Sequence, residues 1–543
     1  MQNTPSRMEN ESPRGALPPH PPFSPPHHIP KWLLGIKQAI ISELRAQRGI
    51  ALPLAAMNLT WFAKTAITTA FLGRLGELQL AGGTLGFTFA NVTGLSVLTG
   101  LCCAMEPICG QAHGARNCKL LHKTLIMATI LLLVASLPIS FLWLNVDGIL
   151  MRFGQQRDIA ALAKKYITYL LPDLVITSFL CPLKAYLSSQ GVTLPILFSS
   201  AMALAFHLPL NVLLSKEKGL EGVSMAIWLT DLTVVIMLVS YVLVTERRKK
   251  SDGTKLWREG GWWDQRMQDW LRLLRLSAPC CLTTCLEWWC YEILVLLTGR
   301  LPDAKQMVAV IAVVLNFDYL LYAVMLSLAT CASTRVSNEL GAGKARDARE
   351  SAYVSLGLGV LTGFLGASAM VIARGCWGYL FSHDEKVVDG VSKMMLLMAL
   401  IEVVNFPLTV CGGIVRGTAR PWLGMYASLG GFYLVALPLA VVLAFKVRLG
   451  LGGLLLGFLM GSAASAILLG VFVAFVDWDG EAEKAQTLAG VNTQVGEEND
   501  DMEMVEDNRL PSVHGEGAYG VRTRLFNSFQ PTSSINFSSL VPW

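Results

Sequence analysis

The sequence predicts an all-α membrane protein of twelve transmembrane helices in two duplicated six-helix lobes, and three observations carry that prediction. Of 543 residues, 53% are hydrophobic and only 15% are Asp, Glu, Lys or Arg, against roughly 25% charged in an ordinary soluble protein. Apolar stretches recur from about residue 49 to 476, many of them long enough to cross a bilayer core of about 30 Å at 1.5 Å per helical residue. Short sequences also repeat at a fixed offset: Pro53 and Pro279, GRL at Gly73 and at Gly299, and Pro195 and Pro421 each stand 226 residues apart. GQAHGARN from Gly110 lines up with NELGAGKA from Asn338 at nearly the same interval. Such an offset, held across six spans, means duplication of a six-helix bundle. Because six is even, the copies share an orientation and are related by an axis along the membrane normal. A cleft between them is where a transporter would hold its substrate.

Taken in order, residues 1–30 are Pro-rich and read as disordered, and the mixed apolar and basic run from Lys31 reads as a helix on the membrane surface. Together they make a tail over 1–48. Spans are expected near 50–73, 84–108, 121–145, 165–186, 194–215 and 220–244, the N-lobe of 49–245. A basic connector covers 246–276. The C-lobe of 277–476 follows, with spans near 277–299, 307–332, 352–374, 393–415, 422–446 and 451–476. Residues 477–543 turn polar, with the acidic block EENDDMEMVEDNR, and read as a disordered tail with a secondary reading as a regulatory docking segment. Gly453, Gly457 and Gly461, spaced by four, predict close approach of the twelfth helix to a neighbour.

An even span count puts both termini on one side, and excess Lys and Arg at the ends of the connector mark that side as cytosolic. The basic stretches at 116–123 and 335–349 fall on the same side, whereas Lys446 and Arg448 fall opposite. Trp262, Trp263 and Trp270 suit an interfacial helix or a partner-binding one. The twelve cysteines sit in apolar surroundings without CxxC spacing and read as reduced packing residues, so no metal and no cofactor is expected. No cleavable leader is read at the N-terminus, and the sequons at Asn58 and Asn91 fall inside spans where no glycan can be added. A net charge of +5 without a basic stripe argues against nucleic acid, and no Walker, zinc or nucleophile-elbow motif points to an ATP-driven pump or an enzyme.

Ionisable groups inside the hydrocarbon are costly, so each is a functional candidate. The seventh span, APCCLTTCLEWWCYEILVLLTG, carries Glu287 and Glu292, about 140° apart around the helix axis. Tyr291 shares a face with Glu287 and is placed to hydrogen-bond it. The tenth span carries Glu402 and Asn405 on one face, with Pro407 just beyond. Shifting back by 226 puts Trp61, Ala66 and Ile176 opposite the three glutamates, so the N-lobe has no acid at the corresponding places. Carboxyl groups in low dielectric favour their neutral form, which is what a proton-coupled carrier requires. Lys64, Thr68, His207, Asn316 and Asp318 are further candidates for the cavity wall, with local packing, pairing or snorkelling as the alternative reading.

The segments CLEWWCYE (285–292), STRVSNELGAG (333–343), EPICGQAHGA (106–115) and GGIVRGTARP (412–421) closely resemble the multidrug and toxic compound extrusion (MATE) family, especially its plant detoxification-carrier branch. The resemblance covers about residues 31–478. It implies two six-helix lobes around a central cavity that opens alternately to either side, and export of organic solutes in exchange for protons or, in some bacterial members, sodium. It places the family's cation-coupling acid of the seventh helix on Glu287 and that motif's second glutamate on Glu292. The chain departs from the pattern at Asn405, where relatives usually carry an acid; Glu402 stands one turn earlier, so the second coupling acid is either displaced or lost. It departs again near Thr68, the acidic position of bacterial members, and in the eighth span, which lacks the usual proline. The expected function is therefore a monomeric, proton-coupled antiporter of small organic solutes in the plasma membrane, with a vacuolar or endosomal membrane as the alternative. A membrane-anchored signalling partner of a cytosolic protein and a lipid flippase are the competing readings.

Overall fold

The computed structural model describes residues 31–251 and 267–490. Every regular element among them is helical, and twelve helices are long and apolar enough to cross a membrane. We number them α1 (Lys31–Leu75), α2 (Glu77–Gly114), α3 (Cys118–Leu144), α4 (Arg157–Ser189), α5 (Leu194–Lys218), α6 (Leu220–Ser251), α7 (Met267–Thr298), α8 (Ala304–Gly341), α9 (Ala345–Leu380), α10 (Glu385–Gly417), α11 (Pro421–Lys446) and α12 (Gly450–Ala474), followed by a short α13 (Trp478–Leu488).

Local chemistry sets the boundaries and bends. Asn117 caps α3 by accepting from the Leu120 amide at 3.0 Å, and Asp384 and Asp477 cap α10 and α13 in the same way. Prolines stand inside eight of the spans, including Pro53, Pro279 and Pro407. The α11 helix loosens into two π-helical stretches, Leu429–Ala436 and Val442–Lys446, on either side of Pro438. The α8 helix, without a proline, runs unbroken for 38 residues.

The glycine row of α12 packs as its spacing predicts. A Cβ at Gly453, Gly457 or Gly461 would lie 2.7, 2.4 or 2.4 Å from Ala444, Ala440 or Ala436 of α11. Without a hydrophobic driving force between helices in lipid, such close backbone approach is what holds them together.

The buried side chains form two large cores that match the two lobes. One runs from Phe71 to Leu238 and the other from Cys290 to Ala485. Two small clusters stitch them together: Ile50 and Leu54 of α1 against Cys331 of α8, and Ala104, Ile108 and Met127 of α2 and α3 against Leu273 and Cys280 of α7. These seams lie toward the face that carries the described chain ends.

A close interlobe contact joins the two repeated motifs. A Cβ on Gly114 would stand 2.0 Å from the Asn338 carbonyl oxygen, and one on Gly341 would stand 2.1 Å from the Gln111 carbonyl oxygen. Adding 227 to 111 and 114 gives 338 and 341, so the duplicated segments touch each other reciprocally. Polar groups reinforce the seam. Arg335 of α8 grips Glu43 of α1 through two bonds at 3.0 and 2.7 Å, and Gln47 donates to the Ser351 carbonyl. Asn58 bonds Ser327 at 2.9 Å, and Glu106 of α2 pairs with Arg416 of α10 at 3.1 Å. Farther along, the Trp289 indole donates to the Val92 carbonyl, within the π-helical stretch of α2.

Three expectations about segments change. The surface helix read from Lys31 is continuous with the first span, because no proline stands before Pro53 and the helix carries Gly35, Gly49 and Pro53 without a break. The stretch after 477 begins with an ordered helix: Trp478, Ala482 and Ala485 join the C-lobe core, and Glu481 pairs with Arg420 and Lys484. Past its end, the Ala489 carbonyl accepts from Asn117 of the N-lobe at 2.8 Å, so α13 touches both lobes. Trp270 packs beside the α2–α7 seam, whereas Trp262 and Trp263, and the acidic block beyond Val491, lie outside the described residues.

Candidate functional site

The C-lobe brings three acids into the interior from three helices. Glu402 of α10 is fully buried, and Asp318 of α8 is nearly so. Their carboxyl groups lie within hydrogen-bonding reach of each other. Treated as ionised acceptors, both Glu402 oxygens lack a donor. The neighbouring Asn405 amide, which also lies close to Glu402, donates to the Tyr291 hydroxyl at 3.2 Å. Two carboxyl groups in contact hydrogen-bond only when one carries a proton.

Glu287 of α7 sits apart from that pair. It lines a crevice between α7, α10 and α11 together with Thr284, Thr409, Arg416 and Ser428. Arg416 and Asp318 are the charged groups that act on it. Arg416 is the same guanidinium that binds Glu106 across the seam. Glu287 therefore faces a cation that is already engaged in holding the lobes together.

Several expectations for individual residues shift accordingly. Tyr291 bonds Asn405 rather than Glu287, since α7 turns its ring toward α10 and stacks it near Phe458 at a centroid distance of 4.7 Å. Glu292 is half-buried, with Tyr319 as an ionisable neighbour, on a different side of α7 from Glu287. Asn316 donates to the Ala312 carbonyl of its own helix at 2.8 Å.

The N-lobe holds an ionic cluster of its own at positions that do not correspond to those of the C-lobe. Lys64 of α1 contacts both oxygens of Asp231 of α6, at 2.8 and 2.7 Å. Asp173 of α4, 2% exposed, adjoins Asp231 and leaves one carboxyl oxygen without a partner. His207 is fully buried and sits inside this lobe rather than on a cavity wall. The hydroxyls of Thr230 and Thr68 donate to the backbone carbonyls of Ala226 and Lys64. This leaves His207 Nδ1 to donate to Thr230 at 2.7 Å and Nε2 to accept from Asn211 at 3.0 Å. Thr68, 3.1 Å from His207 Nε2, belongs to the same packed network.

Asp173, Asp231 and Arg416 are the charged residues the sequence reading passed over. The two aspartates fall inside the expected fourth and sixth spans, so counting every ionisable residue in the spans would have found them. Arg416 stood in a quoted motif, but nothing in sequence ties it to Glu106, 310 residues away. All twelve cysteines are free thiols.

Comparison with known proteins matches this architecture twice over. A MatE family model matches residues 53–213 and again residues 279–442, each match beginning at one of the paired prolines. Protein DETOXIFICATION 56 of Arabidopsis thaliana is 61% identical over 454 residues, covering 83% of this chain and 92% of the relative. Protein DETOXIFICATION 51 of the same plant is 39% identical over 459 residues, covering 83% and 84%. The crystal structure of the eukaryotic MATE transporter AtDTX14 superposes with a TM-score of 0.76 at 32% identity, covering 83% of this chain and 100% of that one.

Proposed function

Because the chain belongs to the MatE family, the multidrug and toxic compound extrusion transporters, and to its plant detoxification branch, we propose that it is a proton-coupled antiporter of small organic solutes working by alternating access. Glu287 is the acid at which proton and substrate compete. The Glu402–Asp318 pair is a second proton-holding unit in the same lobe. The observation that carries this reading is the approach of those two carboxyl groups, both buried in the C-lobe, which can hydrogen-bond each other only through a proton.

In the cycle, the cleft faces the extracytosolic side while the cytosolic seam is closed by the Gly114 and Gly341 contacts and by the Glu43–Arg335 and Glu106–Arg416 pairs. Protons entering from that side neutralise the carboxyl groups and release a substrate held by them. The lobes then rock, the seam opens, and deprotonation on the cytosolic side readies the site for the next substrate. One charge crossing 100 mV contributes about 2.3 kcal/mol, enough for a concentration ratio on the order of tens. Besides Arg416, the polar groups that line the crevice with Glu287 among the described residues are threonines and a serine, which favours amphipathic solutes of varied shape over one tightly specified ligand.

The test is transport into proteoliposomes under an imposed pH gradient, screened over cationic, neutral and anionic organic compounds. Glu287→Gln is expected to abolish gradient-driven uptake while leaving the protein folded. Full gradient-driven transport by that variant would remove Glu287 from the coupling role.

A further inference from the structure

Arg416 stands between two carboxylates that belong to different parts of the machine. On one side is Glu106, across the lobe seam at 3.1 Å; on the other is Glu287, in the crevice both residues line. The guanidinium is only 16% exposed and Glu106 only 11% by side chain. The surrounding ionisable groups are few: Cys103 and Glu106 from α2, Cys280 and Glu287 from α7, and Tyr322 from α8, next to Asp318. From α11 the crevice receives Pro421, Gly424 and Ser428, none of which ionises.

A buried cation that loses its only counter-charge is strongly unfavourable. A seam opening that parts α2 from α10 also breaks the contact of Gln111 with the Gly417 carbonyl, at 3.4 Å. Glu106 must then leave Arg416. The remaining carboxylate in reach is Glu287, provided it is ionised.

We propose that Arg416 couples seam opening to proton release: paired with Glu106 while the cytosolic side is closed, it passes to Glu287 as the lobes part, and the arriving positive charge expels the proton from that carboxyl. The step is a proton transfer from the Glu287 carboxyl to cytosolic water, with no other bond made or broken. It rests on the reading of Glu287 as the coupling acid and adds the residue that times the release. Arg416 acts through Glu287 and is a positioning residue.

The hand-off carries a sign. The opened state holds one proton fewer, so raising pH shifts the equilibrium toward it, by up to tenfold per pH unit where Glu287 titrates. Hydrogen–deuterium exchange of peptides spanning 106–117 and 335–343, measured between pH 5 and 9 on the full chain in nanodiscs, reads seam opening without a substrate. Intrinsic exchange rates at each pH are corrected against peptides from 453–470. Wild type is expected to open increasingly with pH. Glu287→Gln and Arg416→Gln should each lose the same part of that slope, and the double variant should lose no more. Arg416→Lys, which keeps the charge, should restore most of it. In Glu106→Gln the cation is with Glu287 in both states, so the seam loosens and the slope flattens.

A wild-type slope in Arg416→Gln overturns the proposal. If that variant fails to fold, an undiminished slope in Glu106→Gln does the same. Failure of the underlying reading looks different: Glu287→Gln would still show pH-gradient-driven transport, whatever the seam does.

Discussion

The reciprocal glycine contact at the seam offers the sharpest test of how the lobes close. In Gly114→Ala, the new Cβ would lie 2.0 Å from the Asn338 carbonyl oxygen and 2.8 Å from the Ala342 nitrogen. Both obstacles are backbone, so no rotamer change relieves them, and α2 and α8 must move apart by more than 1 Å to restore a van der Waals distance. Overpacking of this kind costs about 1–3 kcal/mol, and the clash exists only while the seam is closed. The ratio of open to closed molecules should therefore rise about 5- to 150-fold. Exchange of amide hydrogens in 106–117 and 335–343 should accelerate by that factor, while peptides in α12 should not change. The control is Gly357→Ala in α9, where a Cβ would meet nothing within 4 Å and alanine is the better helix former by about 1 kcal/mol. Unchanged exchange in Gly114→Ala, or an equal acceleration in the control, would refute the idea that close backbone contact holds the cytosolic side shut.

Other consequences can be measured on purified protein. Lys64→Met leaves Asp231 beside Asp173 without its cation and should lower stability by about 3–5 kcal/mol, whereas adding Asp231→Leu should recover most of the loss in a double-mutant thermal melt. Glu43→Gln should loosen the seam by only about 1 kcal/mol, because Glu339 at 2.9 Å keeps Arg335 paired; seam exchange as wide as in Gly114→Ala would contradict this. Trp478→Ala should cost about 3 kcal/mol in the C-lobe, since this 7% exposed ring sits in that core, and an unchanged melting temperature would place α13 outside the folded unit. Gly457→Val should separate α11 from α12 and lower the melting temperature, while Gly430→Ala, with open space around it, should not.

The sequence disclosed what depends on solvent and on repetition. Span positions follow from the demand that each backbone group in lipid be satisfied within its own helix, so hydropathy alone places them. The glycine row at 453, 457 and 461 was legible because its period is that of the helix, and the partner needed only to be small. The duplication was legible from paired prolines. Side-chain partners across helices were another matter. Which neighbour Glu402 meets depends on the rotation of α8 and α10 about their axes, and a pairing with Glu287 was as consistent with periodicity as the one with Asp318. Tyr291 was assigned to Glu287 for the same reason: sharing a helical face does not say which neighbour lies opposite. Arg416 and Glu106 each looked like ordinary span-end charges until the lobes were docked. The helix α13 was hidden by its polar composition, since besides the paired Glu481 only Trp478, Ala482 and Ala485 bury, and its remaining contacts are ion pairs and backbone acceptors.

The reciprocal contact of Gly114 with Asn338 and of Gly341 with Gln111 is an isologous interface of the kind found in two-fold homodimers, here written into one chain. A gene that duplicated while its product already paired with itself would inherit such a surface complete, with no need to invent a new one. Within one chain the two copies carry different chemistry away from that contact: one holds Glu287, Asp318 and Glu402, the other Lys64, Asp173 and Asp231. The linker between the halves then contributes stoichiometry and a high effective concentration, while mutual recognition resides in the motifs themselves. The molecule is in this sense a dimer whose subunits have taken up different trades, and its symmetry persists at the hinge line because a closing surface must fit both halves at once.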